Sequence, residues 1–421
     1  MPPTTFEQTR PPLPIRALNK YGAWLGSAPS SATKLIAIAK RRCRLDDFGG
    51  GEFFEPLSRL LESCQREARL NLVGKIALRM DVLRTLCNRL AMEKDRQLYP
   101  ETACQEIREP LFIVGLPRSG TTLLHILLAA DTQHRAPLTW EVMTPSPPTN
   151  QNERQRIRRA TRNLSSLRWL APMFENVHAL GPEMPQECVS LMSPTFLSDQ
   201  FDTMYNVPSY RRWFLNQNLE AVYAYHRRFL QHLQQRRSAR RWILKAPAHM
   251  SAAPALLSVY SDARFVQVHR DPLEAITSVS SLIAILRSVF SDDIDLRDIG
   301  REAWRYWSAT VIIFLRERDR LPAERTCDIH YTEIQRDPMS AIRRIYEHFD
   351  WILSREAEQR MHIILANQPR EQRGNHRYDP AQFGFDASEG AGAFTAYCER
   401  FGLLTNGDRA RNDRAQRLVS T

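Results

Sequence analysis

The chain has 421 residues, 43% hydrophobic and 25% charged, and a formal net charge of +11. This composition suits a globular protein with one large core and a smaller appended unit, and the basic excess suits an anionic partner: nucleic acid, acidic lipid or a phosphorylated small molecule. Seven scattered cysteines without a C-x-x-C pair argue against a zinc site and for reduced thiols in a cytoplasmic protein.

In chain order, "MPPTTFEQTRPPLPIRALNKYG" has no apolar core and so does not read as a secretory signal. Residues 1 to about 50, rich in proline and basic residues, give no clear element. The stretch "FFEPLSRLLESCQREARLNLVGKIALRMDVLRTLCNRLAMEKD" is helical in pattern: Leu57, Leu60, Leu61 and Cys64 recur at three- and four-residue steps, as do Leu83, Leu86 and Leu90. A tail and helical extension are therefore expected over 1–105, a main domain over 106–403 and a basic tail over 404–421. No apolar run is expected to span a bilayer; "TTLLHILLAA" has the length of a buried helix.

The main domain alternates short apolar runs with helical stretches. "LFIVG" precedes "SGTTLLHILLAAD", "RWILK" precedes "SAAPALLSVY", "RFVQVHR" precedes "PLEAITSVSSLIAILRSVF", and "TCDIHY" precedes "PMSAIRRIYEHF". Strands alternating with helices predict an α/β fold with a parallel sheet flanked by helices, which binds ligands at the carboxyl ends of its strands. A helical insertion over about 140–240, placed between the first two units, is expected to shape a substrate pocket.

The loop in "LFIVGLPRSGTT" has the spacing of a phosphate-binding P-loop, with Gly115, Gly120 and Thr122 in place. Thr121 stands where the lysine of a triphosphate loop belongs, and Arg118 lies inside the loop. Glycine turns and a helix N-terminus make an anion cradle. Without that lysine, the loop suits a nucleotide with a single 5′-phosphate. In "VHRDPLEAITS", Arg270 ends a strand and Ser278 lies on the next helix, so the two are placed to hold a second phosphate. Asp271 is read as a helix cap with Pro272 at the first position; a magnesium ligand is the alternative.

The ordered motifs "PRSGTT", "LKAPAH" and "VHRDPLEAITS" resemble those of sulfotransferases that use 3′-phosphoadenosine 5′-phosphosulfate (PAPS). With "EARLNLVGKIALRMDVLRTLCNRL", "PLTWEVM", "YTEIQRDP" and "RGNHRYDPAQFGFD", the sequence is similar to a bacterial branch bearing an N-terminal helical extension, from about residue 46 to about 403. The resemblance implies a 5′-phosphosulfate loop of Arg118, Ser119, Gly120, Thr121 and Thr122. It implies a 3′-phosphate pair of Arg270 and Ser278, adenine contact by Tyr331, and a late closing loop with Arg373, Gly374 and His376. No metal is expected. Arg118 and Lys245 would stabilise the leaving group. Steroid- and phenol-sulfating relatives have lysine at the position of Arg118, and their K-T-H arrangement becomes Lys245-Ala246-Pro247, with His249 further on. The base is therefore assigned first to Glu141, placed as in the tyrosine- and heparan-sulfating branches and expected to face the cavity beside Arg118 and Lys245. His249 comes second, and Glu183 or Glu187 are further alternatives.

The acceptor is expected to be a hydroxylated lipid-like or small molecule, with peripheral contact to an anionic membrane. A P-loop small-molecule kinase would need the missing lysine and magnesium ligands. A nucleic-acid-binding role would rest on "RQRIRRATR" and "QQRRSARR", which lack interleaved aromatics.

Overall fold

The computed structural model describes residues 12–22, 28–29, 31–149, 152–170, 181–235, 237–238, 240–367, 379–385 and 391–403. Four helices come first: α1 (Leu13–Gly22), α2 (Ala32–Cys43), α3 (Phe54–Arg66) and α4 (Leu72–Leu98). The first two occupy a region whose sequence gives no clear element. Ser31 caps α2 by accepting from Lys34 N, and Asn71 caps α4 by accepting from Gly74 N. Strand β1 (Leu111–Gly115) leads into α5 (Thr121–Ala129), then come a two-residue strand β2 (His134–Arg135), absent from the sequence reading, and α6 (Thr139–Met143). The insertion continues with α7 (Glu153–Leu170), α8 (Cys188–Met192), α9 (Asp199–Met204), α10 (Pro208–Phe214) and α11 (Glu220–Gln234). Then follow β3 (Arg241–Lys245), α12 (Ala253–Val259), β4 (Arg264–His269), α13 (Pro272–Phe290) and α14 (Leu296–Arg318). The chain closes with β5 (Thr326–His330), α15 (Tyr331–Arg336), α16 (Pro338–His348), α17 (Arg355–Asn367) and α18 (Ala391–Arg400).

The strands form one sheet in the order β2-β3-β1-β4-β5, and each pairing is parallel. Alternation along the strands sorts side chains between two cores. Phe112, Val114, Trp242 and Leu244 face α11, α12 and α14. Leu111, Ile113, Ile243, Val266 and Val268 face α5 and α16. From β1 the chain builds outward to β3 and β2 on one side and to β4 and β5 on the other. The end of β1 is thus the topological switch point, where such sheets open a ligand crevice.

A third core joins α2, α3 and α4 to the insertion through Leu57, Leu61, Leu86, Phe196, Phe201 and Tyr210. The contact between α4 and α13 is backbone-close: a Cβ on Gly74 would sit 2.2 Å from the Phe290 carbonyl oxygen. By length and composition α13 is long and apolar enough to cross a bilayer, contrary to the sequence expectation. Of its apolar window 67% is buried inside the fold, and it carries Arg287, 4% exposed, bonded to the Asp202 carbonyl at 2.8 Å. It is therefore built as a core helix.

Candidate active site

The loop after β1 is shaped by backbone sterics. Gly115 has φ +141°, and a Cβ there would meet the Val268 carbonyl oxygen at 2.4 Å. Only glycine lets β1 and β4 remain paired at this end. Gly120, at φ +88°, is the N-cap of α5, and no side chain caps that helix. A Cβ on Gly120 would lie 3.3 Å from Tyr331 Cδ2. The buried Ser119 donates its hydroxyl to the Leu116 carbonyl at 2.6 Å, holding the loop in its turn. Thr121 is also buried, in the first turn of α5.

Arg118 has φ +66°, a left-handed conformation that costs a non-glycine residue about 1 kcal/mol or more. Its neighbours hold it there. Its Nε donates to Ser278 Oγ at 3.3 Å, and its carbonyl accepts from Arg270. The Arg270 guanidinium lies 4.2 Å from the Tyr331 ring centroid and 3.3 Å from Glu274. The structure thus brings Arg118, Arg270, Ser278 and Tyr331, drawn from four elements, to the N-terminus of α5. Two arginines and a hydroxyl beside a helix N-terminus bearing no side-chain cap fit a ligand with two phosphate-sized anionic groups.

The strand end that carries Arg270 is itself braced. Buried His269 contacts Asp328 through Nε2 at 2.8 Å and the Tyr397 hydroxyl through Nδ1 at 3.1 Å. Arg318 holds Asp328 at 2.7 and 2.9 Å. Although burial acts to raise it, the Asp328 carboxyl is held well below the usual range by its bonds to Arg318 and His269. The signal for this bracket was an aspartate inside the apolar strand "TCDIH". Asp271 accepts from Leu273 N at 2.9 Å and Glu274 N at 3.3 Å, and so caps α13. No group of three or more metal-suited His, Cys, Asp or Glu residues gathers among the described residues.

Lys245, 2% exposed at the end of β3, donates to Thr122 Oγ1 at 3.1 Å and forms an ion pair with Glu187. Ile243 and Lys245 share strand parity, so Lys245 lies on the face covered by α5. A buried ammonium needs such a partner to offset its lost hydration. Nearby His125, bonded to the Ile243 carbonyl at 3.1 Å, is pushed down to about 3 by burial and by Lys245.

The first two base assignments do not survive this geometry. Glu141 does not face a cavity beside Arg118 and Lys245. It is 1% exposed, accepts from Arg135 at 2.9 Å and from Leu138 N at 3.0 Å, and so closes the first turn of α6. Arg135 is buried as well and stacks 4.8 Å from the Trp242 ring. His249 lies on the other side of the sheet, fully buried, 4.9 Å from the Phe112 ring, with Nδ1 at 2.7 Å from the Tyr223 hydroxyl. Burial pushes its imidazole far below its ordinary value. Glu183 is exposed, while the Glu187 carboxylate reaches Lys245 with its side chain 23% exposed. Sequence placement favoured Glu141 because distance along the chain does not reveal which way a short helix turns its carboxylate. Arg373, Gly374 and His376 lie outside the described residues. A separate cavity of about 930 Å³ lies among α10, α11, α12 and α14, with Phe214, Leu219, Tyr306 and Ile313 in its wall; neither the loop nor Lys245 lines it.

Comparison with known proteins places this geometry. The sequence model of the sulfotransferase family matches residues 110–355, from β1 to the start of α17. Omega-hydroxy-beta-dihydromenaquinone-9 sulfotransferase Stf3 of Mycobacterium bovis is 26% identical over 264 residues, 57% of this chain, and the same protein of Mycobacterium tuberculosis matches equally. The match spans only 62% of the length of these relatives. The crystal structure of sulfotransferase STF1 from M. tuberculosis H37Rv superimposes with a TM-score of 0.76 at 29% identity, covering 87% of this chain and 98% of that one. Sulfotransferase STF9 from Mycobacterium avium gives a TM-score of 0.80 at 26% identity, covering 89% and 98%. This chain belongs to the sulfotransferase family.

Proposed function

We propose that this sulfotransferase moves the sulfuryl group of PAPS to the hydroxyl of a lipid-like acceptor. The convergence of Arg118, Arg270, Ser278 and Tyr331 on the N-terminus of α5 carries the donor assignment. In this reading the loop and α5 hold the 5′-phosphate, while Arg270 and Ser278 hold the 3′-phosphate. The Arg270–Glu274 and Arg270–Arg118 contacts place the guanidinium before a ligand arrives, which lowers the ordering cost of binding. The adenine ring would take the face of Tyr331.

Glu187 is the proton acceptor in this reading and Lys245 the cation at the leaving group. The acceptor oxygen bonds to sulfur as the bond from sulfur to the 5′-phosphate oxygen breaks. The electron pair departs on that phosphate, where Lys245 and Arg118 stabilise it. The hydroxyl proton passes to Glu187. The products are a sulfate ester and adenosine 3′,5′-bisphosphate. The acceptor class is supported by the relative whose name gives it a hydroxylated menaquinone derivative as substrate.

Calorimetry with adenosine 3′,5′-bisphosphate in EDTA tests the donor site, and transfer of label from PAPS into a membrane lipid extract tests the acceptor. Bisphosphate binding without metal and a labelled lipid product are expected. Failure to bind the bisphosphate refutes the donor site. Label appearing only in water-soluble products refutes the lipid acceptor.

A further inference from the structure

We propose that the face built by the C-terminal end of α2 and the outer side of α7 is a docking surface for an anionic lipid bilayer. The last turn of α2 and its C-cap expose Lys40, Arg41, Arg42 and Arg44, and α7 exposes Arg154, Arg158, Arg159 and Arg162. The two helices are distant in sequence, α2 packs on α4, and both send charges toward the same α4 residue. Arg42 and Arg159 both act on the Cys87 thiol of α4, where their charges oppose the rise that burial causes. Leu170 of α7 also packs into the core shared by α2 and α4. One continuous basic face results, and its acids are few. There is none in α2, Glu153 opens α7, and of the two aspartates after α2, Asp47 is turned toward Gly49 N and Gln97.

The orientation of α7 is fixed by its other side. Ala160 and Leu164 are buried. Buried Arg156 bonds the carbonyls of Thr144 at 2.9 Å, Pro145 at 2.8 Å and Pro147 at 3.0 Å, and stacks 4.8 Å from the Trp140 ring. With that side held inward, helical periodicity places Arg158, Arg162 and Trp169 in one outward stripe. Trp169 is 59% exposed, and an exposed indole beside arginines is the pattern of a helix lying in a lipid headgroup layer. A single tryptophan at one end gives no stacking platform for a nucleic acid, so the bilayer is the occupant these residues favour.

The surface is coupled to the reaction centre through the backbone. Thr139 N and Trp140 N of α6, the helix on which α7 packs, donate to the Met184 and Pro182 carbonyls at 3.0 and 2.9 Å. That segment runs directly into Glu187. Docking by α7 would thus bring the insertion and its carboxylate to the membrane. The docking surface itself stands independently of the donor and acceptor assignments.

Co-sedimentation of the full chain with phosphatidylglycerol-containing and pure phosphatidylcholine vesicles is the test. Binding to the anionic vesicles alone, weakening as salt rises, is expected. Each arginine near a charged surface contributes about fivefold, so Arg42→Gln, Arg158→Gln and Arg162→Gln together should lower partitioning roughly a hundredfold. Their lysine counterparts should retain it. Unfolding temperature and bisphosphate affinity should be unchanged in both sets, which separates failure here from failure of the donor site. Equal partitioning to both vesicle types, or an unaffected glutamine variant, overturns the proposal. Tighter binding to duplex DNA than to anionic vesicles, with the same loss in the variant, would reassign the face to nucleic acid.

Discussion

Exchanging the two carboxylates one at a time separates structure from chemistry. Glu141 is 1% exposed and shares its oxygens between Arg135 and Leu138 N. Removing one partner of a buried ion pair costs about 3–5 kcal/mol, because the other charge stays behind. Arg135 keeps the Leu233 carbonyl at 2.7 Å, so Glu141→Ala should fall near the lower end, about 3 kcal/mol. That is a large share of the roughly 5–15 kcal/mol of a whole domain. At about 2 °C per kcal/mol in a large domain, the melting temperature should drop by about 6 °C. Turnover measured well below the melting transition should stay within about threefold, since the buried carboxylate is engaged by Arg135 and Leu138 N. Glu187→Gln should also cost some stability, because buried Lys245 loses its counter-ion, but less than Glu141→Ala, since the Glu187 side chain is 23% exposed; its main effect should be a kcat loss of about 10²- to 10⁴-fold. Bisphosphate affinity should change little in Glu141→Ala and should rise in Glu187→Gln, where the competing carboxylate charge on Lys245 is gone. The measurements are thermal unfolding, calorimetry with bisphosphate, and transfer from PAPS to the acceptor that the extract assay identifies. An unchanged melting temperature with lost turnover in Glu141→Ala, alongside full turnover in Glu187→Gln, would refute the assignment.

Arg270→Ala should weaken bisphosphate binding about tenfold or more, from the roughly 1.5–3 kcal/mol of a charge-assisted contact, and calorimetry reads it directly. Gly115→Ala should destabilise the fold by about 1–3 kcal/mol in urea titrations, because φ +141° is strained for alanine and the new Cβ would lie 2.4 Å from the Val268 carbonyl. Buried His125 and His226 are pushed down to about 3 and His232 to about 4, mainly by desolvation. Below the unfolded value of 6.5 the unfolded chain binds more protons than the native one. Stability present above that pH should therefore be lost on acidification, by up to about 1.4 kcal/mol per pH unit per histidine; urea midpoints that do not fall on acidification would contradict this.

The parts of the fold legible in the sequence were those governed by short-range pattern. "LFIVG", "RWILK", "RFVQVHR" and "TCDIHY" each become a strand because a sheet covered on both faces demands continuous apolar runs. The loop was equally plain, since Gly115 and Gly120 occupy backbone conformations that favour glycine. Two helices before residue 50 escaped although α2 buries Ala32, Leu35 and Ala39 at helical spacing, because the prolines and basic residues around them obscured the pattern. Glu187, the proposed proton acceptor, ranked only among the further alternatives for a different reason. Glu141 and Glu187 are both glutamates in the insertion, and what distinguishes them is the cation each one meets, six residues away for Glu141 and 58 for Glu187. Arg135 takes one and Lys245 takes the other. His249 was misread because the turn after Lys245 carries the chain to the opposite side of the sheet, against Phe112.

The threonine at position 121 looks like a loss until β3 is set beside β1. Ile113 pairs with Lys245 across the sheet, and the lysine reaches forward on the α5 side to Thr122. An ammonium therefore stands at the start of α5 after all, supplied by a neighbouring strand instead of by the loop. That origin changes the chemistry available to it. A lysine inside the loop would be held by the phosphates it binds, whereas Lys245 is buried and must carry its own counter-ion, and the insertion supplies one in Glu187. In the proposed reaction a donor bringing negative charge to α5 competes with Glu187 for the same ammonium. As the leaving phosphate gathers charge, Lys245 is drawn toward it and the carboxylate is released beside the acceptor hydroxyl. Stabilising the leaving group and freeing the proton acceptor would then be one movement of one side chain. This accounts for an arrangement in which the lysine and its glutamate come from different parts of the chain and meet only at the mouth of the phosphate loop.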